Sequence, residues 1–200
     1  MKNNLRLRII FKTVLLGFLI FILQGCSNNN MKQFENTKPK FDLFNFFKGN
    51  TIAYGIFEDR FGKLRRQFRV NIKGTINNDT LLLDEKFLYD DGEKSSRIWK
   101  IKKISDKNFI TYKGSAEDIE GFAEGQSIGN ALNWSYDIYL NMKGTNLKVR
   151  FNDWIYQQDK NVAINRAYVS KFGIEIGTVT LVFLRGETSK SIGKLDLNSW

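Results

Sequence analysis

No histidine occurs in the 200 residues, and cysteine and proline occur once each, as Cys26 and Pro39. The missing imidazole excludes Ser–His and Cys–His nucleophilic sites and removes the usual ligand of zinc. A lone cysteine forms no internal disulfide, so any core must stand on packing alone. Long apolar runs are scarce as well. The main one, Val14 to Leu23, follows Lys12 and is too short for the roughly 20 apolar residues of a membrane span. Any catalysis would have to rest on Asp, Glu, Lys, Tyr or a borrowed cofactor. Composition points away from an enzyme, and no cofactor or metal is expected.

What the N-terminus does contain is ordered: basic Lys2, Arg6, Arg8 and Lys12, then the apolar run, then Leu23-Gln24-Gly25-Cys26. Basic, apolar and small-residue regions in that order are the anatomy of a secretory signal. The last four residues resemble a bacterial lipobox, in which the cysteine is acylated and becomes the new N-terminus. Residues 1–25 are expected to be a signal peptide, Cys26 the lipidation site, and 26–38 a flexible polar tether to the membrane. Losing residues 1–25 removes four basic residues and no acidic one. That leaves 27 Lys+Arg against 21 Asp+Glu, a net charge of +6 instead of +10. Nucleic acid is not an expected partner. An excess of this size suits an anionic membrane surface, an anionic ligand or plain solubility.

Aromatic residues are plentiful, with 17 Phe, 7 Tyr and 4 Trp. Phe41, Phe44 and Phe47 recur at helical spacing before Gly49, predicting a short helix over 41–48 that packs on the body or meets the membrane interface. From Thr51 the period becomes two. Strands are expected at 51–58, 64–74, 79–89, 96–104, 108–114, 130–141, 145–157, 161–170 and 174–184, separated by Gly, Asn and Asp signals. Residues 115–129, with Gly121, Gly125 and Gly129, read as one bent strand between loops. Many strands joined by short turns predict an antiparallel meander. Closing it into a lipocalin-like (calycin-type) barrel over 39–185 removes exposed edges.

Turns allow registers to be tested. A turn at Lys143-Gly144 sets Leu140 opposite Leu147, Ile138 opposite Val149, Tyr136 opposite Phe151 and Trp134 opposite Asp153, with apolar residues sharing one face. A turn at Asp159-Lys160 would set Phe151 opposite Tyr168, Ile155 opposite Ile164 and Asp153 opposite Arg166. Asp153 and Arg166 then read as an inward ion pair, a polar anchor for a ligand, or an acid/base group. Glu85 and Arg97 form a second candidate pair, on strands whose inward partners are Leu81, Leu83, Phe87, Tyr89, Trp99 and Ile101. Phe68, Val70 and Ile72 are expected to face inward and Arg65, Arg69 and Lys73 outward. The basic stripe Lys63, Arg65, Arg66, Arg69 and Lys73 reads as a solvated face or as a contact for anionic lipid. Asp90-Asp91-Gly92-Glu93 has ordinary turn chemistry and lacks the spacing of a calcium loop.

Two blocks carry a family resemblance. Leu83-Asp84-Glu85, Phe87, Tyr89-Asp90-Asp91-Gly92-Glu93, Arg97 and Trp99 form the first. Phe151, Asp153-Trp154, Tyr156, Asn165-Arg166-Ala167 and Ser170-Lys171-Phe172-Gly173 form the second. Together they resemble the bacterial lipoproteins grouped as the DUF3833 family, from the lipobox to about Phe183, with residues 186–200 as an extension. The resemblance implies a Gram-negative envelope protein of unestablished activity. Ser27 after the cysteine is similar to an outer-membrane sorting signal. The function expected is binding of a hydrophobic or amphipathic small molecule, such as a fatty acid or lipid, in the barrel. Trp99, Trp134, Tyr136, Phe151 and Tyr168 would line the cavity, with Glu85 and Asp153 as polar spots and Arg97 or Arg166 meeting an anionic head group. A scaffold for envelope proteins and a lipid isomerase-like or cyclase-like enzyme are the alternatives.

Overall fold

Alternating apolar residues and short polar turns build the chain from Gly49 onward into ten antiparallel strands. The computed structural model describes residues 31–105, 110–142 and 145–200, side chains at 105, 141, 142 and 145 excepted. Cys26 and the signal segment lie outside the described residues. The strands are β1 (Gly49–Asp59), β2 (Leu64–Asn77), β3 (Thr80–Tyr89), β4 (Lys94–Ser105) and β5 (Ile110–Ser115), followed by β6 (Ile119–Ile128), β7 (Ala131–Met142), β8 (Thr145–Gln157), β9 (Val162–Lys171) and β10 (Ile174–Arg185). Each pairs with the next, and β1 pairs with β10, so the sheet closes. The protein is a closed calycin-type β-barrel. Closure leaves no unpaired edge, which is why a chain with one proline to guard its strands can be this rich in β structure.

The stretch read as one bent strand contains β6. Its ladder with β7 shifts between Glu120 and Glu124, and Ala123, Gly125 and Ser127 face inward. Small residues in those positions make room for a neighbour's bulk: the Trp134 ring lies against Gly125 and Gly114.

The β7/β8 ladder has the register read from the sequence, with Trp134 opposite Asp153, Tyr136 opposite Phe151, Ile138 opposite Val149 and Leu140 opposite Leu147. The β8/β9 ladder does not. Asp153 faces Ala167, Ile155 faces Asn165, and Arg166 lies opposite Trp154. The connection is one residue longer than a tight turn on Asp159-Lys160. The Asp159 carboxylate accepts from the backbone N–H groups of Asn161 and Val162, at 2.6 and 2.9 Å, and holds both residues in the loop. A slip of one residue inverts the faces of β9. Ala163, Asn165, Ala167 and Val169 therefore point in, and Ile164, Arg166 and Tyr168 point out.

One end of the barrel is closed by helix α1 (Leu43–Phe47). Asp42 caps it by accepting from the Asn45 N–H at 3.1 Å. Phe41, Leu43, Phe46 and Phe47 are buried, and Phe47 packs edge-on to Phe183 with ring centroids 5.1 Å apart. The Leu43 N–H donates to the Tyr112 hydroxyl at 3.2 Å, and the Ser127 hydroxyl donates to the Phe41 carbonyl at 2.5 Å. The helix is a plug, not a membrane anchor.

The sequence reading assigns residues 31–38 to the tether, yet they lie on the barrel. Met31–Phe34 forms a 3-10 turn, Phe34 packs on Trp154 and Tyr156, and Thr37 hydrogen-bonds Asn130. At the other terminus helix α2 (Gly186–Ile192) and the residues after it run over the outer wall. The Asn71 side-chain amide exchanges two hydrogen bonds with the Leu195 backbone. Met31–Trp200 thus forms one compact unit. No helix among the described residues is long and apolar enough to cross a membrane.

Candidate functional site

Ten strands enclose a wider space than the eight-strand barrels whose interiors side chains can fill. Here α1 and its phenylalanines occupy one end. The opposite end, reached by the β1–β2, β3–β4 and β9–β10 turns, is different. Its inward side chains Phe57, Phe87, Tyr89, Phe151, Val179 and Leu181 are only partly buried, although they point into the barrel. The open half is therefore walled by apolar, largely aromatic side chains that keep accessible surface. Phe87 stacks on Tyr89 at 6.1 Å, and Phe151 stacks on Tyr136 at 5.4 Å.

A polar layer forms its floor. Glu85 and Arg97 stand directly opposite on β3 and β4. Arg97 turns its guanidinium to Asp118, in the β5–β6 connection. Nε donates to both carboxylate oxygens at 3.1 and 2.9 Å, and Nη2 lies 2.8 Å from Oδ2. Asp153 accepts from the Asn165 amide at 2.7 Å. Its carboxylate also lies against the Tyr136 phenol, and Oδ2 and Asn165 Oδ1 are both fully enclosed. Trp99 packs edge-on against both Trp134 and Tyr136, at 5.7 and 5.2 Å, and separates this layer from the plug.

Enclosure governs the ionisation of these groups. Burial pushes Glu85 up to about 7, even with the Arg97 charge pulling the other way. Burial also pushes Asp153 up to about 6, against the stabilising hydrogen bond from Asn165 and the nearby Tyr136 phenol. The Tyr136 hydroxyl is held well above its ordinary range by burial and then by the Asp153 charge. Burial disfavours charge on Arg97, but Tyr136, Glu85 and Asp118 around it outweigh that and keep it protonated. Glu85 is wrapped by the wall, accepts from Trp99 and is only partly buried as a residue.

Of the residues proposed from sequence, Glu85, Arg97, Trp99, Trp134, Tyr136, Phe151 and Asp153 all meet on the inner wall. Arg166 and Tyr168 do not. The β9 register puts both outside, where the Arg166 guanidinium sits 5.7 Å from the Tyr168 ring centroid. The inward partner of Asp153 is Asn165. Sequence reasoning misses Asp118 and Asn165 as site residues. Asp118 belongs to the ambiguous 115–129 stretch, and Asn165 is hidden by the register slip, although a carboxylate on an apolar face is a signal to look for any donor across from it. Asp91 and Glu93 serve a turn. Both pair with Arg66, at 2.9 and 2.6 Å, and Arg66 in turn lies 3.6 Å over the Tyr89 ring. Among the described residues no group of three or more Cys, Asp or Glu side chains is placed to hold a metal.

A cavity of about 400 Å³ lies outside the barrel between the wall and the C-terminal segment. Lys73, Lys86, Lys190, Lys194, Asp84 and Asn71 help to line it.

The family model described as protein of unknown function (DUF3833) matches residues 20–185, well over half of the chain. The chain belongs to the DUF3833 family. The match ends at Arg185, where the barrel ends and α2 begins. No curated protein matches this DUF3833 chain. Among solved structures it is similar to the S-type phycobiliprotein lyase CPES from Guillardia theta. That likeness has 10% identity and a TM-score of 0.50, over 72% of this chain and 90% of that one. A de novo designed fluorescence-activating β-barrel covers 73% of this chain and 99% of its own at 12% identity, with a TM-score of 0.40. The lyase shares the barrel fold.

Proposed function

We propose that this protein binds a hydrophobic or amphipathic small molecule in the open half of its barrel. One observation carries the reading: a ring of inward apolar side chains, Phe57, Phe87, Phe151, Val179 and Leu181 among them, stays partly accessible above a charged floor. Accessible apolar surface inside a closed wall gains about 25 cal/mol per Å² when a ligand covers it. A few convergent polar groups at the end of an apolar pocket then fix orientation. Solved barrels of similar fold include a phycobiliprotein lyase, in keeping with a barrel that holds small molecules.

The floor selects the polar end of that ligand. Three carboxyl groups, Glu85, Asp118 and Asp153, surround one guanidinium, and Asp118 already occupies it. A fatty-acid carboxylate would have to displace Asp118 from Arg97. A hydroxyl, amide or ammonium group instead meets the Glu85 carboxyl, which accepts from Trp99 and belongs to a residue that is only partly buried. We therefore assign a lipid with a hydrogen-bond-donating head to the site, in place of the anionic head group read from the sequence. Lipidation of Cys26 at the periplasmic face of the outer membrane would hold the barrel beside its source.

Binding of a fluorescent long-chain alcohol and of the matching fatty acid, measured on the purified protein at pH 8, tests this. The alcohol should bind at least tenfold more tightly, and L181W should abolish binding while leaving the melting transition in place. Absence of binding for both probes, or native mass spectra showing only unliganded protein after mild extraction, would refute the cavity reading. Tighter binding of the acid would refute the head-group assignment alone.

A further inference from the structure

The open rim of the barrel carries its own unexplained feature. Two hairpin turns sit side by side there, β1–β2 and β9–β10, joined by a hydrogen bond from the Arg60 N–H to the Ile176 carbonyl at 3.0 Å. Their tips expose large apolar side chains: Phe61 at 79%, Phe172 at 93%, Ile174 at 60% and Leu64 at 47%. Single exposed apolar residues are ordinary on protein surfaces, but four on two touching turns form a patch.

Phe172 is the sharpest of them. It occupies the first central position of the β9–β10 turn with φ +52°, followed by Gly173 at +78°. That position favours Asn, Asp or Gly, because a side chain in the left-handed region is crowded. Phenylalanine there is conformationally unfavourable and is almost wholly exposed to water, and no packing contact compensates it. A residue that violates local preference twice over is expected to answer to function.

The flanking charges indicate what the patch meets. Arg60 lies 4.7 Å over the Phe61 ring and Lys171 lies 5.3 Å from the Phe172 ring centroid. Arg60, Lys63 and Lys171 have no carboxylate partner among the described residues, while Arg65 pairs with Asp59 at 2.6 Å. Nearby Glu58 and Glu175 are the acids that offset them. The other side of the rim carries Asp90 and Glu117, with Asp91 and Glu93 sharing the single charge of Arg66. Aromatic tips beside cations suit the boundary between acyl chains and anionic head groups.

We propose that this sector of the rim docks on an anionic bilayer surface, with Phe61 and Phe172 inserted among the acyl chains and the acidic sector tilted away. The barrel mouth then opens beside the membrane, whatever the barrel holds. The proposal does not depend on the cavity reading, because its test reads the tips alone.

In the full chain held in phosphatidylcholine vesicles, tryptophan placed by F61W or F172W adds a signal to the four native tryptophans. Adding phosphatidylglycerol should shift that signal to the blue and at least double its quenching by lipids brominated on their acyl chains. R60E together with K171E should remove the dependence on phosphatidylglycerol. In co-sedimentation of Met31–Trp200, the compact unit that lacks the N-terminal segment, F172N should raise the melting temperature and still weaken vesicle binding several-fold. Water-like tip emission in both vesicle types would overturn the proposal. So would a blue shift that appears without vesicles and grows with protein concentration, because the patch would then belong to a second copy of the chain.

Discussion

A carboxyl wrapped by a barrel wall keeps its proton to higher pH than the same group in an unfolded chain, and the excess proton makes stability depend on pH. Glu85 titrates near 7 in the fold against an ordinary value of 4.5, and Asp153 near 6 against 3.8. Between those limits the native state binds more protons than the unfolded state, so stability must fall as pH rises. At 1.36 kcal/mol per pKa unit, each group contributes on the order of 3 kcal/mol of this loss. The turn carboxylates work in the other direction. Asp59 and Asp91 are held below their ordinary value, chiefly by Arg65 and Arg66, and their help is lost as pH falls into the acid range. The stability maximum should therefore lie on the acid side of neutrality. In E85Q the decline in urea midpoint between pH 4.5 and 7 should be roughly halved, and a wild-type midpoint that climbs over this interval contradicts the assignment. Glu85 and Arg97 were legible in the sequence because each interrupts an apolar alternation on strands joined by a short turn. Asp118 was not, since its strand neighbours carry no such alternation.

At the level of elements, legibility followed how each connection closes. The β7/β8 ladder could be aligned because both strands alternate and every apolar residue finds an apolar partner in a single register. In β9 both faces carry apolar residues, with Ile164 and Tyr168 on one side and Ala163, Ala167 and Val169 on the other. A tight turn at Asp159-Lys160 therefore led to the wrong inner face without an obvious mismatch. What decides it is volume: the aromatic residues of β4, β7 and β8 already fill that part of the interior, so the strand beside them must turn its small residues in. The same logic explains β6, whose inward glycine escapes any hydrophobic pattern. A Cβ at Gly125 would lie 2.7 Å from the Asn133 carbonyl oxygen and closer still to Cε3 of Trp134, and one at Gly114 2.8 Å from the same indole. Overpacking of this kind costs about 1–3 kcal/mol. G125A should lower the denaturation free energy by roughly 2 kcal/mol, measured by urea titration. Combining it with W134L should recover part of that loss, because the smaller side chain vacates the space the new methyl needs. Strict additivity of the two changes would show that the backbone, not the indole, sets the constraint.

For the whole molecule, the question is which parts make the barrel and which are fastened to it. The ladder from β1 to β10 is complete at Arg185, and the family match ends at the same residue. Beyond it, α2 and the final segment cover the outer wall. Ile52 faces outward and is nevertheless buried, Leu195 is held by the Asn71 amide, and Arg69 lies 4.5 Å over the Trp200 ring. This strap adds apolar burial to the outside of β1 and β2 but contributes none of the ten strands. A chain ending at Arg185 should therefore retain the far-ultraviolet spectrum of the barrel and a single cooperative transition. It should lose about 2–3 kcal/mol, the worth of uncovering one aliphatic side chain and the contacts around it. Because the strap lies on the outer face of the wall, while Val179 and Leu181 line its inner face beside β1, binding of the long-chain alcohol should survive the truncation within about threefold. Loss of the cooperative transition would mean that the strap is part of the folding unit. A retained fold that no longer binds would place the ligand in the outer cavity between Lys86 and Lys194, not inside the barrel.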